Sequence, residues 1–174
     1  QSLFDNAHDS YAGDVGIGIN PKLAQRIRES DLIVAIGARL GEVTTGGYTL
    51  FDIPAPKQKL IHVYPDPEEL GRVYRPSLAI AAASRDFADA LSSVPPVASP
   101  RWAARTAEMR ADYLAWRAPV KSPGAVQMSE IVAWLDANVP ADTIFANGAG
   151  NFATWVHRFH AYRGFATQLA PTSG

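Results

Sequence analysis

Apolar positions along the chain follow two alternating patterns. Short unbroken runs with β-branched residues stand at Asp31-Leu32-Ile33-Val34-Ala35-Ile36-Gly37, at Lys59-Leu60-Ile61-His62-Val63-Tyr64 and at Leu78-Ala79-Ile80-Ala81-Ala82. Such runs suit strands buried on both faces of a parallel sheet. Helical patterns lie beside them. Asn20 and Pro21 form an N-cap and first helical position, with Leu23, Ala24 and Ile27 on one face. Asp66-Pro67-Glu68-Glu69 reads as a capped helix start with acids where the helix dipole favours them, and Ser84 to Leu91 as a second capped helix. Strands and helices alternating at this spacing predict βα units on a parallel sheet of three strands here, belonging to a sheet with more.

Residues 92–100 hold three prolines in nine positions, the mark of a linker or domain edge. Beyond it Trp102, Thr106, Met109, Tyr113 and Trp116 recur at steps of 4, 3, 4 and 3, predicting an amphipathic helix with a stripe that packs on a neighbour. After a Pro/Gly break at 118–124 the βα pattern resumes. Met128, Ile131, Val132, Leu135 and Val139 mark a helix, Thr143 to Ala146 a strand, Phe152 to Phe159 a helix, and Gly164 to Leu169 a last strand.

Composition narrows the class. The 174 residues amount to one domain, or one plus a piece of another. With 47% apolar and 19% charged residues the chain can bury a core. A formal charge of −1 offers no polycationic surface, so no nucleic-acid partner is expected. The absence of cysteine excludes disulfides, thiolate zinc sites, iron–sulfur clusters and a thiol nucleophile. No apolar run approaches the roughly 18 residues of a membrane helix, and no signal peptide is recognisable. The expectation is a soluble, cytoplasmic α/β protein without a membrane partner. Residue 1 is Gln, and the chain stops at Pro171-Thr172-Ser173-Gly174. That small polar ending fits an ordinary loop and also a longer protein that has been cut.

The strongest candidate for chemistry is the strand–glycine–helix junction Thr143 to Phe152. A parallel strand running into Gly148-Ala149-Gly150 and a helix start presents free backbone N–H groups and suits an anion, most commonly phosphate. Asn151 could cap the helix or donate to an oxygen. The alternative is a plain tight turn in which the glycines only relieve the backbone. It is not a Walker motif, because no Gly-Lys-Ser/Thr follows. A weaker candidate is Ile36-Gly37-Ala38-Arg39-Leu40-Gly41, where Arg39 could reach a nucleotide phosphate or serve as a surface residue. His157 and His160 have metal-compatible spacing but no carboxylate completes a set, so no metal ligands are assigned. His62, in mid-strand, reads as a satisfied core residue. No serine shows a nucleophile elbow and no carboxylates are paired for acid–base work.

In their order along the chain, these segments resemble the thiamine diphosphate-dependent enzymes, in their acetolactate synthase-like branch. Asp31 to Leu40 is similar to that family's "DLIIAlGaRf" stretch, and Leu60 to Gly71 to its "iIHiDiDpaEig". Asp142 to Trp155 resembles the start of its pyrophosphate-binding domain, and Leu169 to Gly174 the segment before its "MGyGlP". The resemblance implies a Rossmann-like central domain over residues 1–98, incomplete at its N-terminus. It implies a helical linker over 99–124 and the N-terminal part of the pyrophosphate-binding domain over 125–174. By position, Gly148, Gly150, Asn151 and Phe152 would lie by the cofactor diphosphate, and Ser173 and Gly174 would approach its aminopyrimidine. Gly37 and Arg39 would border any nucleotide on the central domain.

The resemblance further implies a parent enzyme that takes a small-molecule 2-oxo acid, decarboxylates it and joins the remainder to an acceptor, as a homodimer or homotetramer. No catalytic residue is expected in this chain. The family's catalytic glutamate belongs to a preceding domain, and its magnesium motif would follow residue 174, so the chain alone should be inactive. Flavin adenine dinucleotide, carried by anabolic members against the central domain, is disfavoured. Tyr64 replaces an aspartate, Gly41-Glu42-Val43-Thr44-Thr45 departs from the family stretch, and Ala83-Ser84-Arg85 replaces "GD". An ADP-like ligand or none is as compatible. Other readings stay open: another 2-oxo acid decarboxylase, a non-catalytic nucleotide-binding module, or an oligomerisation module using the Trp102–Trp116 stripe.

Overall fold

A computed structural model describes residues 2–171 as two compact units, one of Val15–Arg101 and one of the residues up to Asp14 together with Trp102 onward. Both are α/β with parallel strands, the expected fold class.

The first unit opens with α1 (Pro21–Arg28). The Asn20 side chain accepts the Lys22 N–H at 3.0 Å, and Pro21 occupies a position whose N–H would be unpaired anyway. At the other end the Gln58 amide donates to the carbonyls of Arg28 and Ile27, at 2.8 and 3.2 Å, completing groups the helix cannot pair itself. Three parallel strands follow: β1 (Leu32–Ile36), β2 (Lys59–Tyr64) and β3 (Leu78–Ala81), in that spatial order, with α2 (Ser84–Ser92) after β3. Register pairs Ala35 with His62 and His62 with Ala79. Ala35, Leu60 and Tyr74 form the buried core, flanked by Ile33, Leu40, Phe51 and Val73. Phe51 meets Tyr74 edge-on at 5.6 Å.

Two details differ from the sequence expectation. β1 is buried on one face only. Leu32, Val34 and Ile36 remain 46, 45 and 40% exposed, because no element among the described residues covers that face of an edge strand. Ser84 does not cap α2 either. Ala83 holds the cap position, and Ser84, one residue inside, turns its hydroxyl toward Gly37.

The second unit contains α3 (Ala103–Arg117), α4 (Met128–Asn138), β4 (Phe145–Ala146), α5 (Ala153–Phe159) and β5 (Gln168–Leu169), with β4 and β5 parallel. Both strands are shorter than their apolar runs. The 143–144 stretch is drawn into a turn by the Thr143 N–H to Pro140 carbonyl bond, and Ala166 adopts a left-handed φ of 57° just before β5. The aromatic stripe is buried only in part. Tyr113 is 6% exposed, whereas Trp102, before the first turn of α3, is 52% exposed.

Around Tyr113 two arginines organise the unit. Arg110 donates to the carbonyls of Asn6, Tyr11 and Ala7 at 2.8, 3.2 and 3.1 Å, fixing the N-terminal segment. Arg117 pairs with Asp136 of α4 at 2.7 Å and donates to the Phe159 carbonyl at 3.1 Å. The other Asp136 oxygen accepts the Ala161 N–H at 2.8 Å and lies 2.9 Å from His160 Nδ1. That last approach is close but off the axis of an aligned ring N–H bond, so it acts as an electrostatic contact. Burial would raise the Asp136 carboxyl, but His160, the Ala161 N–H and Arg117 together outweigh it and hold the group at about 2.

A carboxylate held below its unfolded value stabilises the fold fully above about pH 4 and loses that contribution as pH falls through about 2. The shift is worth on the order of 2 kcal/mol. Asp136→Asn should therefore lower stability by roughly 2–3 kcal/mol at pH 6, through the unpaired Arg117. It should also flatten the loss of stability between pH 4 and 2. Urea unfolding at pH 6 and pH 2.5 checks both, and equal acid sensitivity in the two proteins would contradict the assignment.

Candidate functional site

Parallel pairing places the carboxyl ends of neighbouring strands side by side, and the loops beyond them form the crevices where open α/β sheets receive ligands. The molecule has two such ends, one per unit, and they are built differently.

At the end of β4 and β5, the Phe145 N–H bonds the Thr167 carbonyl at 2.9 Å and the Asn147 N–H bonds the Leu169 carbonyl at 3.0 Å. The turn 148–152 and the segment leaving β5 thus emerge at the same end. Gly148, Gly150, Asn151 and Phe152 are brought together in that turn, and all four are exposed. Among the described residues, the N–H groups of residues 148–152 meet no protein acceptor, whereas those of Ala153, Thr154 and Trp155 close the first turn of α5. Gly150 has φ 136°, a conformation that side chains rarely adopt, and a β-carbon there would stand 2.7 Å from Phe152 Cε1. Asn151 does not cap α5. Phe152 holds the cap position, and the Asn151 carbonyl accepts from the Thr154 N–H and hydroxyl, at 3.2 and 2.6 Å. The Asn147 side chain donates to the Gly148 carbonyl at 3.1 Å, and its Oδ1 has no protein partner. N–H groups without an acceptor among the described residues, on an exposed glycine turn, are a possible donor set for an anion. Ser173 and Gly174 lie outside the described residues.

At the end of β1, β2 and β3 the residues after β1 meet partners from the same unit. Gly37, at φ 66°, donates its N–H to the Val63 carbonyl at 2.9 Å, and the Ser84 hydroxyl stands where its β-carbon would be. The carbonyl of Ala38 lies 2.9 Å from Nε2 of His62, which is buried as expected for a satisfied core histidine. Arg39 pairs with Glu69 Oε2 at 3.1 Å, and Arg72 reaches the same oxygen at 3.4 Å. The hydrogen bond and charge of Arg39 hold the Glu69 carboxyl below the usual carboxylate range. Glu69 was legible only as a first-turn acid. Its spacing after Asp66, which caps the 3₁₀ turn Pro67–Glu69 through the Glu68 N–H at 3.0 Å, gave no sign that it would reach Arg39.

His160, one of the two histidines with metal spacing, is committed to Asp136. Among the described residues no three metal-ligating side chains converge, and no helix is long and apolar enough to cross a membrane.

One unit with three parallel strands and a second with two parallel strands and a glycine turn at their ends define an α/β protein. The comparisons with known proteins give the family. The family described as "Thiamine pyrophosphate enzyme, central domain" matches residues 1–91, and the chain belongs to it, with an acetolactate synthase-like sequence. It is 26% identical over 165 residues to the acetolactate synthase large subunit of Corynebacterium glutamicum, covering 90% of this chain and 25% of that protein. To acetolactate synthase isozyme 2 large subunit of Escherichia coli it is 26% identical over 153 residues, covering 87% and 26%. To the probable acetolactate synthase large subunit of Methanocaldococcus jannaschii it is 26% identical over 168 residues, covering 91% and 28%. The chain thus spans about a quarter of the length of these relatives.

The packing of Ser84 against Gly37 is open to a double-mutant cycle. Gly37→Ala should cost roughly 2–3 kcal/mol, part from the left-handed φ and part from Ser84. In a Ser84→Gly background the cost should fall by about 1 kcal/mol. Additive costs in urea unfolding would show that the two residues do not touch.

Proposed function

We propose that this chain is the central domain and the opening of the pyrophosphate-binding domain of a longer thiamine diphosphate-dependent enzyme. The boundaries are those read from the sequence, 1–98, 99–124 and 125–174. The parent acts on a 2-oxo acid, by decarboxylation and ligation to an acceptor of the acetolactate synthase kind. The observation that carries the reading is the 148–152 turn at the carboxyl end of β4 and β5, whose N–H groups meet no acceptor among the described residues. Family membership and the quarter-length coverage of the relatives support the rest.

The turn fits the diphosphate. Among the described residues its N–H groups have no protein acceptor, and Gly148 and Gly150 add no side chain of their own, although the Phe152 ring packs against both. In this reading the N–H groups of Gly150, Asn151 and Phe152 hold the diphosphate, and Ser173 and Gly174 approach the aminopyrimidine. The bound cofactor supplies a thiazolium carbon able to take up the carbonyl carbon of a 2-oxo acid. The turn's own contribution is to position and to neutralise: fixed donors on a backbone that does not reorganise hold two negatively charged phosphoryl groups in one place.

Magnesium belongs to the parent rather than to this chain, in the same reading, and so does the glutamate that activates the aminopyrimidine. The chain alone is inactive. A cytoplasmic parent working as a homodimer or homotetramer completes the proposal. Exposed apolar groups, among them Trp134 at 62% and Ile131 at 44% on α4, support burial against further protein.

In the parent protein, Gly150→Ala should weaken thiamine diphosphate binding by roughly 10- to 100-fold, since the turn can no longer hold φ 136° without strain. Titration calorimetry measures it, alongside release of carbon dioxide from a panel of 2-oxo acids. Unchanged affinity, or turnover by the 174-residue chain by itself, would overturn the proposal.

A further inference from the structure

By sequence, the first residues of the chain fall within the match to the central-domain family, which covers residues 1–91. In the structure, the residues up to Asp14 belong to the second unit, and they lie along its last strand. The carbonyls of Thr167 and Leu169 face β4, accepting from Phe145 and Asn147. The Gln168 N–H, on the opposite edge of β5, goes to the Ser2 hydroxyl at 3.2 Å, and the Ala166 N–H goes to the Ser2 carbonyl at 3.1 Å. Further along, Asn6 exchanges bonds with Tyr162. Its N–H donates to the Tyr162 carbonyl at 2.8 Å, and its Oδ1 accepts the Tyr162 N–H at 3.0 Å. Both residues are buried, Asn6 at 2% and Tyr162 at 0% exposure. The Asn6 amide nitrogen also donates to the Phe4 carbonyl at 2.8 Å, and Arg110 of α3 gathers the carbonyls of Asn6, Ala7 and Tyr11. The Tyr162 ring meets Phe145 of β4 edge-on at 6.2 Å.

From these contacts we infer that residues 2–11 form a strap that sets the 148–152 turn, with Asn6 and Arg110 as its positioning residues. The effect on the cofactor rests on the reading of that turn as the diphosphate site. β4 and β5 have two residues each, and so short a strand pair is marginal by itself. The strap supports both. Ser2 closes the outer edge of β5, while Asn6 fixes the Tyr162 backbone and with it the ring that lies against Phe145, two positions before Asn147 and the start of the turn. Only an amide side chain supplies both the acceptor that Tyr162 uses and the donor that Phe4 uses. Alanine at position 6 leaves the buried Tyr162 N–H without that acceptor. Arg110 acts on backbone carbonyls through charge-assisted bonds, so it holds the course of the strap rather than its side chains. Neither residue belongs to the turn, and a support of this kind changes ligand affinity without touching the ligand.

Two-dimensional NMR with hydrogen exchange on the isotope-labelled 174-residue chain reads the strap, and thiamine diphosphate titrated into the parent protein reads its effect. In Asn6→Ala the Tyr162, Ala166 and Gln168 amides should exchange roughly tenfold faster or more. The Gly148 and Gly150 cross-peaks should shift, and those of β1, β2 and β3 should stay in place. The parent carrying the same change should bind thiamine diphosphate roughly three- to tenfold more weakly, with kcat unchanged at saturating cofactor. A merely structural role would instead reduce the number of binding sites and kcat, leave the affinity of the folded remainder intact, and refute the strap. Asn6→Asp keeps the acceptor for Tyr162 and should recover part of the loss. Ser2→Ala removes only the hydroxyl that meets Gln168, and it decides the matter if Asn6→Ala does not fold: the Gln168 amide should lose protection and the two glycine cross-peaks should still move. Folded variants whose Gly148 and Gly150 cross-peaks stay in place would overturn the inference. So would shifted cross-peaks with unchanged cofactor affinity, in a parent whose Gly150→Ala form binds weakly. Unchanged affinity in Gly150→Ala as well would remove the cofactor reading, and the cross-peaks alone would then decide the strap.

Discussion

Parallel pairing is the constraint on which the rest of this molecule depends. Because β1, β2 and β3 run the same way, and β4 and β5 likewise, every strand in a unit delivers its following loop to one end. The chemistry of each unit is then decided by what those loops place there. At one end, Ser84, His62 and Glu69 meet the residues after β1. At the other, the glycine turn after β4 keeps its N–H groups unpaired among the described residues. The same geometric rule thus yields one end whose residues pair with one another and one end whose turn N–H groups meet no acceptor among the described residues.

A second consequence of parallel pairing is the demand for cover. Parallel sheets bury both faces, since the crossover connections lay helices on each side and the strands are apolar throughout. Here the face bearing Leu32, Val34 and Ile36 is open, and Trp134 and Ile131 stand out from α4. The units are held from inside by polar anchors as much as by apolar packing. Asp136 ties α3, α4 and the segment after α5 through Arg117 and the Ala161 N–H, and Arg110 fixes the N-terminal residues by three carbonyls. Exposed apolar faces on units with such internal anchors are consistent with the quarter-length match to the relatives.

Much of the fold was legible in the sequence because the signals were local. Asn20-Pro21 marked the start of α1, and the runs around Val34, Ile61 and Ala79 marked three parallel strands to within a residue or two. The runs at 143–146 and 164–169 overstated their strands, because turn bonds at Thr143 and the left-handed backbone of Ala166 compete with pairing. One-sided burial of β1 was not legible, since an apolar run reports preference and not what lies opposite. At the candidate site, the Gly148–Phe152 turn could be read because glycine spacing is a local signature. The partners of Arg39 and of Asp136 could not, because Glu69 is 30 positions from Arg39, and Arg117 is 19 from Asp136. Ion pairs across such separations leave no periodic trace. Ser84 read as a cap for the same reason: its hydroxyl goes to Gly37, far away in sequence, rather than to its own helix.

The central claim is that the 148–152 turn receives the cofactor's diphosphate, and a crystal structure of the parent protein grown with thiamine diphosphate and magnesium tests it most directly. The account predicts diphosphate oxygens within hydrogen-bonding distance of the N–H groups of Gly150, Asn151 and Phe152, with the Gly150 backbone conformation unchanged. A diphosphate bound elsewhere, with the 148–152 turn facing only solvent or packed against protein, would contradict it.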